Sequence, residues 1–170
     1  MNEHYVENGH EIDIAKLQAG HAPIEEYSTA HRTVSIVCHD VVVRMRDKYL
    51  LIERDNVPAK GILWPLGGRV ARGISAEESL KDKVFREAGI EITNIKFLGV
   101  ARTLFETDPF GHGKGTDTVN LMYLADGQGE IKLDELHKSP TLFIREEYHE
   151  RLRSNLHPYV IEIMDKALVA

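Results

Sequence analysis

Residues 67–90 read GGRVARGISAEESLKDKVFREAGI, and no other stretch narrows the fold as far. Two glycines and a polar turn lead to Ser75, a side chain suited to cap a helix, and Gly89 is placed to close it. A helix is therefore expected from Ala76 to Ala88. At about 100° per residue, Leu80, Val84 and Ala88 form one apolar stripe, with Ala76 on the same side. Glu87 projects into that stripe. Asp82 and Arg86 fall on the far side, spaced to pair in solvent, and Lys83 stands at the rim four residues before Glu87. Two readings stay open. Lys83 and Glu87 form an ion pair on the helix, or Glu87 faces a cation across the glycine turn, because an ionised carboxylate on a half-buried face needs a positive partner.

The flanking sequence supplies strands. Thr33 to Val43 is rich in β-branched residues, and YLLIE follows after a short RDK turn, so a hairpin is expected. DNVPAKG reads as loop. IEITNIKFLGVARTLFE reads as one or two strands, TDPFGHGKG as a glycine-bearing loop and TDTVNLMYLAD as a further strand. A loop is expected at 134–140, then two helical segments, REEYHERLRS and PYVIEIMDKALVA. Residues 11–19 and 23–30 each have the pattern of a short helix, the second with Pro23 in its first turn. Strands and helices are intermixed, which predicts an α/β sandwich around a mixed β-sheet. Residues 23–170 are expected to form one domain, with 1–22 as an N-terminal extension.

Composition excludes several classes of function. The net charge of −6 argues against general nucleic-acid binding, which needs a basic face. An anionic substrate would need a local basic cluster, for which Arg54, Arg69 and Arg72 are candidates. The single cysteine, Cys38, leaves no intrachain disulfide and fits a reducing compartment. No apolar run approaches membrane-spanning length. A cytoplasmic protein without membrane partners is expected.

Two further residues are out of keeping with their surroundings. Asp40 lies in IVCHDVVV, where a buried, unpaired carboxylate would cost several kcal/mol. It either reaches water at a strand end or meets a cation, and with Glu87 it has the oxygen chemistry of a hard-cation site. His137, in LDELHKSP, is one of nine histidines and by composition alone an ordinary loop residue. An imidazole near its natural pKa is also the usual general base at neutral pH.

Gly68 to Ile90 resembles the Nudix box, with Gly68, Glu87, Gly89 and Ile90 at the expected places. Ile74 stands where that box has its first glutamate, Asp82 where it has an arginine, and Lys83 and Arg86 where it has helix glutamates. The longer stretch DVVVRMRDKYLLIERDNVPAKGILWPLGGRV is similar to the GDP-mannose hydrolase branch of that superfamily. That branch has an aspartate on the first strand (Asp40), an arginine before a Pro-Ala-x-Gly loop (Arg54), a GGRV segment (Arg69) and the last box glutamate (Glu87). FLGVARTLFETDPF, GTDTVN, PIEEY and LDELHKSP extend the resemblance over roughly residues 23–145. The proline before the glycine pair is displaced to Pro65, and Leu136 replaces a polar residue before the histidine.

The resemblance implies a Nudix-type α/β/α sandwich and a magnesium- or manganese-dependent hydrolase of a nucleotide sugar, of GDP-mannose or GDP-glucose type. It implies Asp40, Gly68 and Glu87 as metal ligands, His137 as base, and Arg54 and Arg69 on the phosphates. Arg72, Lys114 and Asp108 are further substrate-binding candidates, with His112 in the same loop. Attack at the anomeric carbon suits the basic helix positions, since a nucleoside diphosphate leaves without a proton donor once its charge is neutralised. The alternatives are a pyrophosphohydrolase recruiting Glu106, Asp108 or Asp117, and a catalytically weak nucleotide-binding module. A homodimer is expected in either case.

Overall fold

The computed structural model describes Leu17 and residues 22–170. The helix expected at 11–19 thus lies, but for Leu17, outside the described residues. Among the described residues no helix is long and apolar enough to cross a membrane.

A seven-stranded mixed sheet carries the chain. In order come α1 (Ile24–Thr33), β1 (Ile36–Met45), β2 (Lys48–Arg54), β3 (Leu63–Trp64), β4 (Leu66–Arg69) and α2 (Ala76–Ala88). β5 (Glu91–Phe105), β6 (Thr116–Gln128), β7 (His137–Phe143), α3 (Arg145–Glu147) and α4 (Pro158–Val169) follow. The strand order is β3-β2-β1-β6-β5, with β4 also paired to β1 and β7 to β2. β1 and β6 run parallel from Ile36↔Thr118 to Arg44↔Asp126, and the other pairs are antiparallel.

One helix covers each face. α2 buries Leu80, Val84 and Ala88 against Val41, Val43 and Leu66, each aliphatic contributing roughly 1.5–3 kcal/mol. α4 buries Val160, Ile163 and Met164 against Val42, Leu51 and Met122 on the other face. The expected α/β sandwich is thus observed. α2 begins where predicted: Glu78 N–H donates to Ser75 Oγ at 3.1 Å, Ser75 N–H returns to Glu78 Oε2 at 3.2 Å, and Gly89 closes the helix at φ 67°.

Four expectations need correction. α1 extends to Thr33, so β1 starts at Ile36 rather than at Thr33. Arg86 donates to the backbone carbonyl of Asp82 at 3.3 Å, where a carboxylate pair was expected. The stretch 134–140 is not all loop, since β7 begins at His137 and pairs with β2 through Arg54↔His137, Glu53↔Lys138 and Leu50↔Leu142. Its lysine, serine and proline hid it. Proline is tolerated there because β7 pairs with β2 alone, and an edge strand need not donate from every N–H. REEYHERLRS is helical but not one α-helix, with a π turn at Tyr148–Leu152 and a 3₁₀ turn at Arg153–Asn155 after α3.

The closest approach in the sheet is at Gly67, opposite Asp40 in the β1–β4 register. A Cβ there would stand 2.1 Å from the His39 carbonyl oxygen and 2.7 Å from Asp40 Oδ1. Gly67→Ala should therefore destabilise the protein by about 2–4 kcal/mol in urea denaturation.

Candidate functional site

Glu87 is the pivot. It lies in the apolar stripe of α2 and is only 4% exposed. Its Oε2 accepts Gly67 N–H at 3.2 Å, and its Oε1 lies 2.9 Å from Lys83 Nζ. The intrahelical ion pair is thus present, but with a buried carboxylate. The Lys83 stem runs over Gly68, where a Cβ would stand 2.9 Å from Lys83 Cε. A side chain at Gly68 would thus displace the flexible end of the lysine.

β7 brings a second group to the same carboxylate. His137 Nε2 is 4.0 Å from Glu87 Oε1, and His137 Nδ1 is 2.6 Å from Asp134 Oδ1. Asp134 also accepts Leu136 N–H at 2.9 Å, and its own N–H donates to the Glu87 carbonyl at 2.9 Å. An ionised carboxylate can only accept, so His137 Nδ1 carries a proton toward Asp134. Glu87, Asp134 and His137 offer ligand atoms all within 4.8 Å of one another, and Asp40 is not a member of that group.

Asp40 lies on β1 beside Gly67. Its Oδ2 accepts the Tyr159 hydroxyl at 2.6 Å, and Tyr159 is held in place by stacking on Trp64 with ring centroids 5.0 Å apart. Burial pushes the Asp40 carboxyl up to about 7; the Tyr159 bond and Arg54 pull it down, and Glu87 pushes it further up. Arg54 ends β2, donates to the Pro58 carbonyl at 3.0 Å and to Asn56 Oδ1 at 3.0 Å, and lines the same cavity as Asp40. Cys38 lines it too, its thiol pushed up to about 12 by burial and by Asp40, and so is no nucleophile at neutral pH.

The cavity, of about 170 Å³, has room for one sugar or base ring. Its floor carries a closed ring of hydrogen bonds. Asn120 Nδ2 donates to Thr103 Oγ1 at 3.1 Å, Thr118 Oγ1 donates to Asn120 Oδ1 at 3.2 Å, and the two hydroxyls are 2.7 Å apart. Tyr27 of α1 and Phe110 close the mouth edge to face, 5.2 Å between centroids, and the Arg69 guanidinium covers Tyr27 at 4.3 Å.

The remaining candidates are more dispersed. Asp108 accepts N–H bonds from Phe110, His112 and Gly113, so it organises its own loop. Lys114 and Arg72 are exposed, as is Glu106. Asp117 is engaged by Arg102 at 2.7 Å and Ser35 at 2.8 Å. Sequence reasoning missed Asp134, Tyr159, His31 and the Thr103–Thr118–Asn120 ring. Only Asp134 left a signal, as an acid three residues before His137; Tyr159 is 119 positions from Asp40.

No family model matches the chain. It is 28% identical over 149 residues to the low-salt glycan biosynthesis protein Agl8 of Haloferax volcanii, covering 84% of this chain and 88% of that protein. It is 25% identical over 134 residues to the NAD-capped RNA hydrolase NudC of Actinobacillus succinogenes, covering 75% of this chain and 47% of NudC. The chain thus spans about half the length of that relative. A MutT Nudix hydrolase structure from Burkholderia pseudomallei superposes with a TM-score of 0.62 at 20% identity, over 78% of this chain and 98% of that one. The Nudix domain of Shewanella oneidensis NrtR, solved with ADP ribose, gives 0.61 at 15% identity, over 87% and 98%. The fold is the Nudix fold.

α1 is fastened over the cavity by histidines. Lys114 N–H donates to His112 Nδ1 at 3.1 Å, so His112 Nε2 carries the proton and donates to His31 Nδ1 at 2.9 Å. Burial, and then His112, lower the His31 pKa below its usual value, with Asp108 opposing. The folded chain therefore takes up this proton less readily than the unfolded one. The stability that His31 contributes is present above the unfolded pKa, about 6.5, and is lost as pH falls below it. The urea midpoint should fall between pH 7.5 and 5.5, and His31→Asn should flatten that dependence.

Proposed function

We propose that the protein hydrolyses nucleoside diphosphate derivatives, foremost a nucleotide sugar of GDP-mannose or GDP-glucose type. The observation that carries this reading is the Asp134–His137 pair, with Nε2 turned toward Glu87 Oε1 at 4.0 Å and His137 opposite Arg54 in the β2–β7 register. His137 Nε2 takes a proton from water as the oxygen attacks the anomeric carbon. The carbon–oxygen bond to the diphosphate breaks, and Arg54 and Arg69 take up the negative charge of the leaving group. Direct displacement inverts the anomeric centre. The Thr103–Thr118–Asn120 ring suits the hydroxyls or base edge of the part bound beyond the phosphates, and Arg72, Lys114 and Asp108 border its entrance in this reading. Residues 23–170 form the Nudix domain, 1–22 extend it, two copies associate, and the protein works in the cytoplasm.

The resemblance implies magnesium or manganese on Asp40, Gly68 and Glu87. The donors present do not fit that ion as they stand. Asp40 is buried against Tyr159 with a raised pKa, and Glu87 already holds an ammonium on the oxygen that faces His137. No step above is routed through a metal.

A second reading, attack at phosphorus, is favoured by the likeness to NudC, named an NAD-capped RNA hydrolase, and to a Nudix domain holding ADP ribose. Hydrolysis in ¹⁸O-water separates the two. Label in the free sugar supports attack at carbon, and label in a phosphate product supports attack at phosphorus. No turnover on nucleotide sugars or nucleoside di- and triphosphates, with or without Mg²⁺ or Mn²⁺, would leave only a nucleotide-binding module. His137→Ala should lower kcat by about 10²–10⁴-fold. Asp134→Asn should lower it less and displace the acidic limb of the kcat/KM profile.

A further inference from the structure

We propose that the Lys83 ammonium takes the place, at Glu87, of the divalent ion used by enzymes of this fold, so that the chain binds a diphosphate without a divalent ion. The inference rests on the reading above that the site receives a diphosphate.

Three observations carry it. Glu87 is buried, so its ion pair with Lys83 is no ordinary pair on a solvated helix face, whose worth would be small. The carboxylate needs a cation in place, and Lys83 Nζ at 2.9 Å supplies one from the next turn of the same helix. The lysine stem is also seated: Gly68, which lines the cavity, lacks the Cβ that would collide with Lys83 Cε. Finally, the ammonium sits on Glu87 Oε1, the oxygen nearest His137 Nε2. An ion bound between those two atoms would meet the lysine charge directly.

The consequence for ligand binding follows from charge. An ammonium has three donors, and only one is needed for Glu87. The Lys83 side chain is 29% exposed and lies beside Gly68, which lines the cavity, so in this proposal its remaining donors meet a phosphate oxygen entering there. Arg54 lines the same cavity and brings a second fixed positive charge. The site thus carries a tethered cation and a guanidinium where related sites would need a captured ion.

Two titrations test this, both independent of turnover. Mn²⁺ alone, followed by loss of the free-ion EPR signal, should bind weakly to the wild-type protein. It should bind roughly tenfold or more tightly to Lys83→Glu, where a repelling charge becomes an attracting one. Lys83→Gln, which is one atom shorter and removes the charge without reversing it, should fall between and serves if the glutamate variant does not fold. In EDTA, inorganic pyrophosphate should bind the wild type and lose roughly tenfold in affinity in Lys83→Gln, as a charge-assisted bond is removed. Wild-type Mn²⁺ binding as tight as that of the variants would overturn the proposal, as would pyrophosphate binding only when Mn²⁺ is present. If both titrations behave as expected but no nucleotide derivative is turned over, the hydrolase reading fails and the tethered-cation assignment stands.

Discussion

A carboxylate placed in an apolar helix stripe has to be paired, and this requirement at Glu87 organises the site. The position is fixed by the same 3.6-residue period that buries Leu80 and Val84, so the acid cannot turn to water without unpacking α2. Its two oxygens meet different partners. One accepts from the Gly67 backbone and so ties α2 to β4; the other holds Lys83 and faces His137. Gly67 and Gly68 border this arrangement on opposite sides. Gly67 admits the backbone of β1 and Asp40, and Gly68 admits the lysine stem.

The two acids proposed from sequence to share an ion have become chemically unlike. Glu87 is neutralised from its own helix. Asp40 faces the cavity, is held by a tyrosine from the C-terminal helix, and has its pKa raised by burial. Protonated, it is a hydrogen-bond donor as well as an acceptor, beside the half-buried Arg54. A site with Arg54, Lys83 and a carboxyl of that kind is better matched to an anionic ligand than to a hard cation, which wants several ionised oxygens at once.

Much of the frame was legible in the sequence because it is written in local rules. The α2 cap, its stripe, the closing Gly89 and the β1–β2 hairpin each depend on residues within a few positions of one another. Lys83 and Glu87 were also legible as a pair, for the same reason. β7 was not, since its strand character comes from pairing with β2, and its own composition of lysine, serine and proline argues against it. Tyr159 and the Thr103–Thr118–Asn120 ring were hidden for a related reason. Their partners lie on other elements, and the threonines differ in no way from ordinary strand residues until β5 and β6 are aligned.

Strand register also explains where His137, which composition left ordinary and which is the base proposed above, comes to stand. His137 opens β7 opposite Arg54, the last residue of β2, which puts imidazole and guanidinium on neighbouring strands. The loop before it is pinned to α2 through Asp134 N–H on the Glu87 carbonyl. The carboxylate that orients the imidazole is thus fixed to the backbone of the residue whose side chain the imidazole faces. α2 therefore bears on the position of His137 through the Glu87 main chain. A shift of that helix would move Asp134 with His137, the Lys83 ammonium and the glycine turn together, so one helix holds parts of the site that come from different strands.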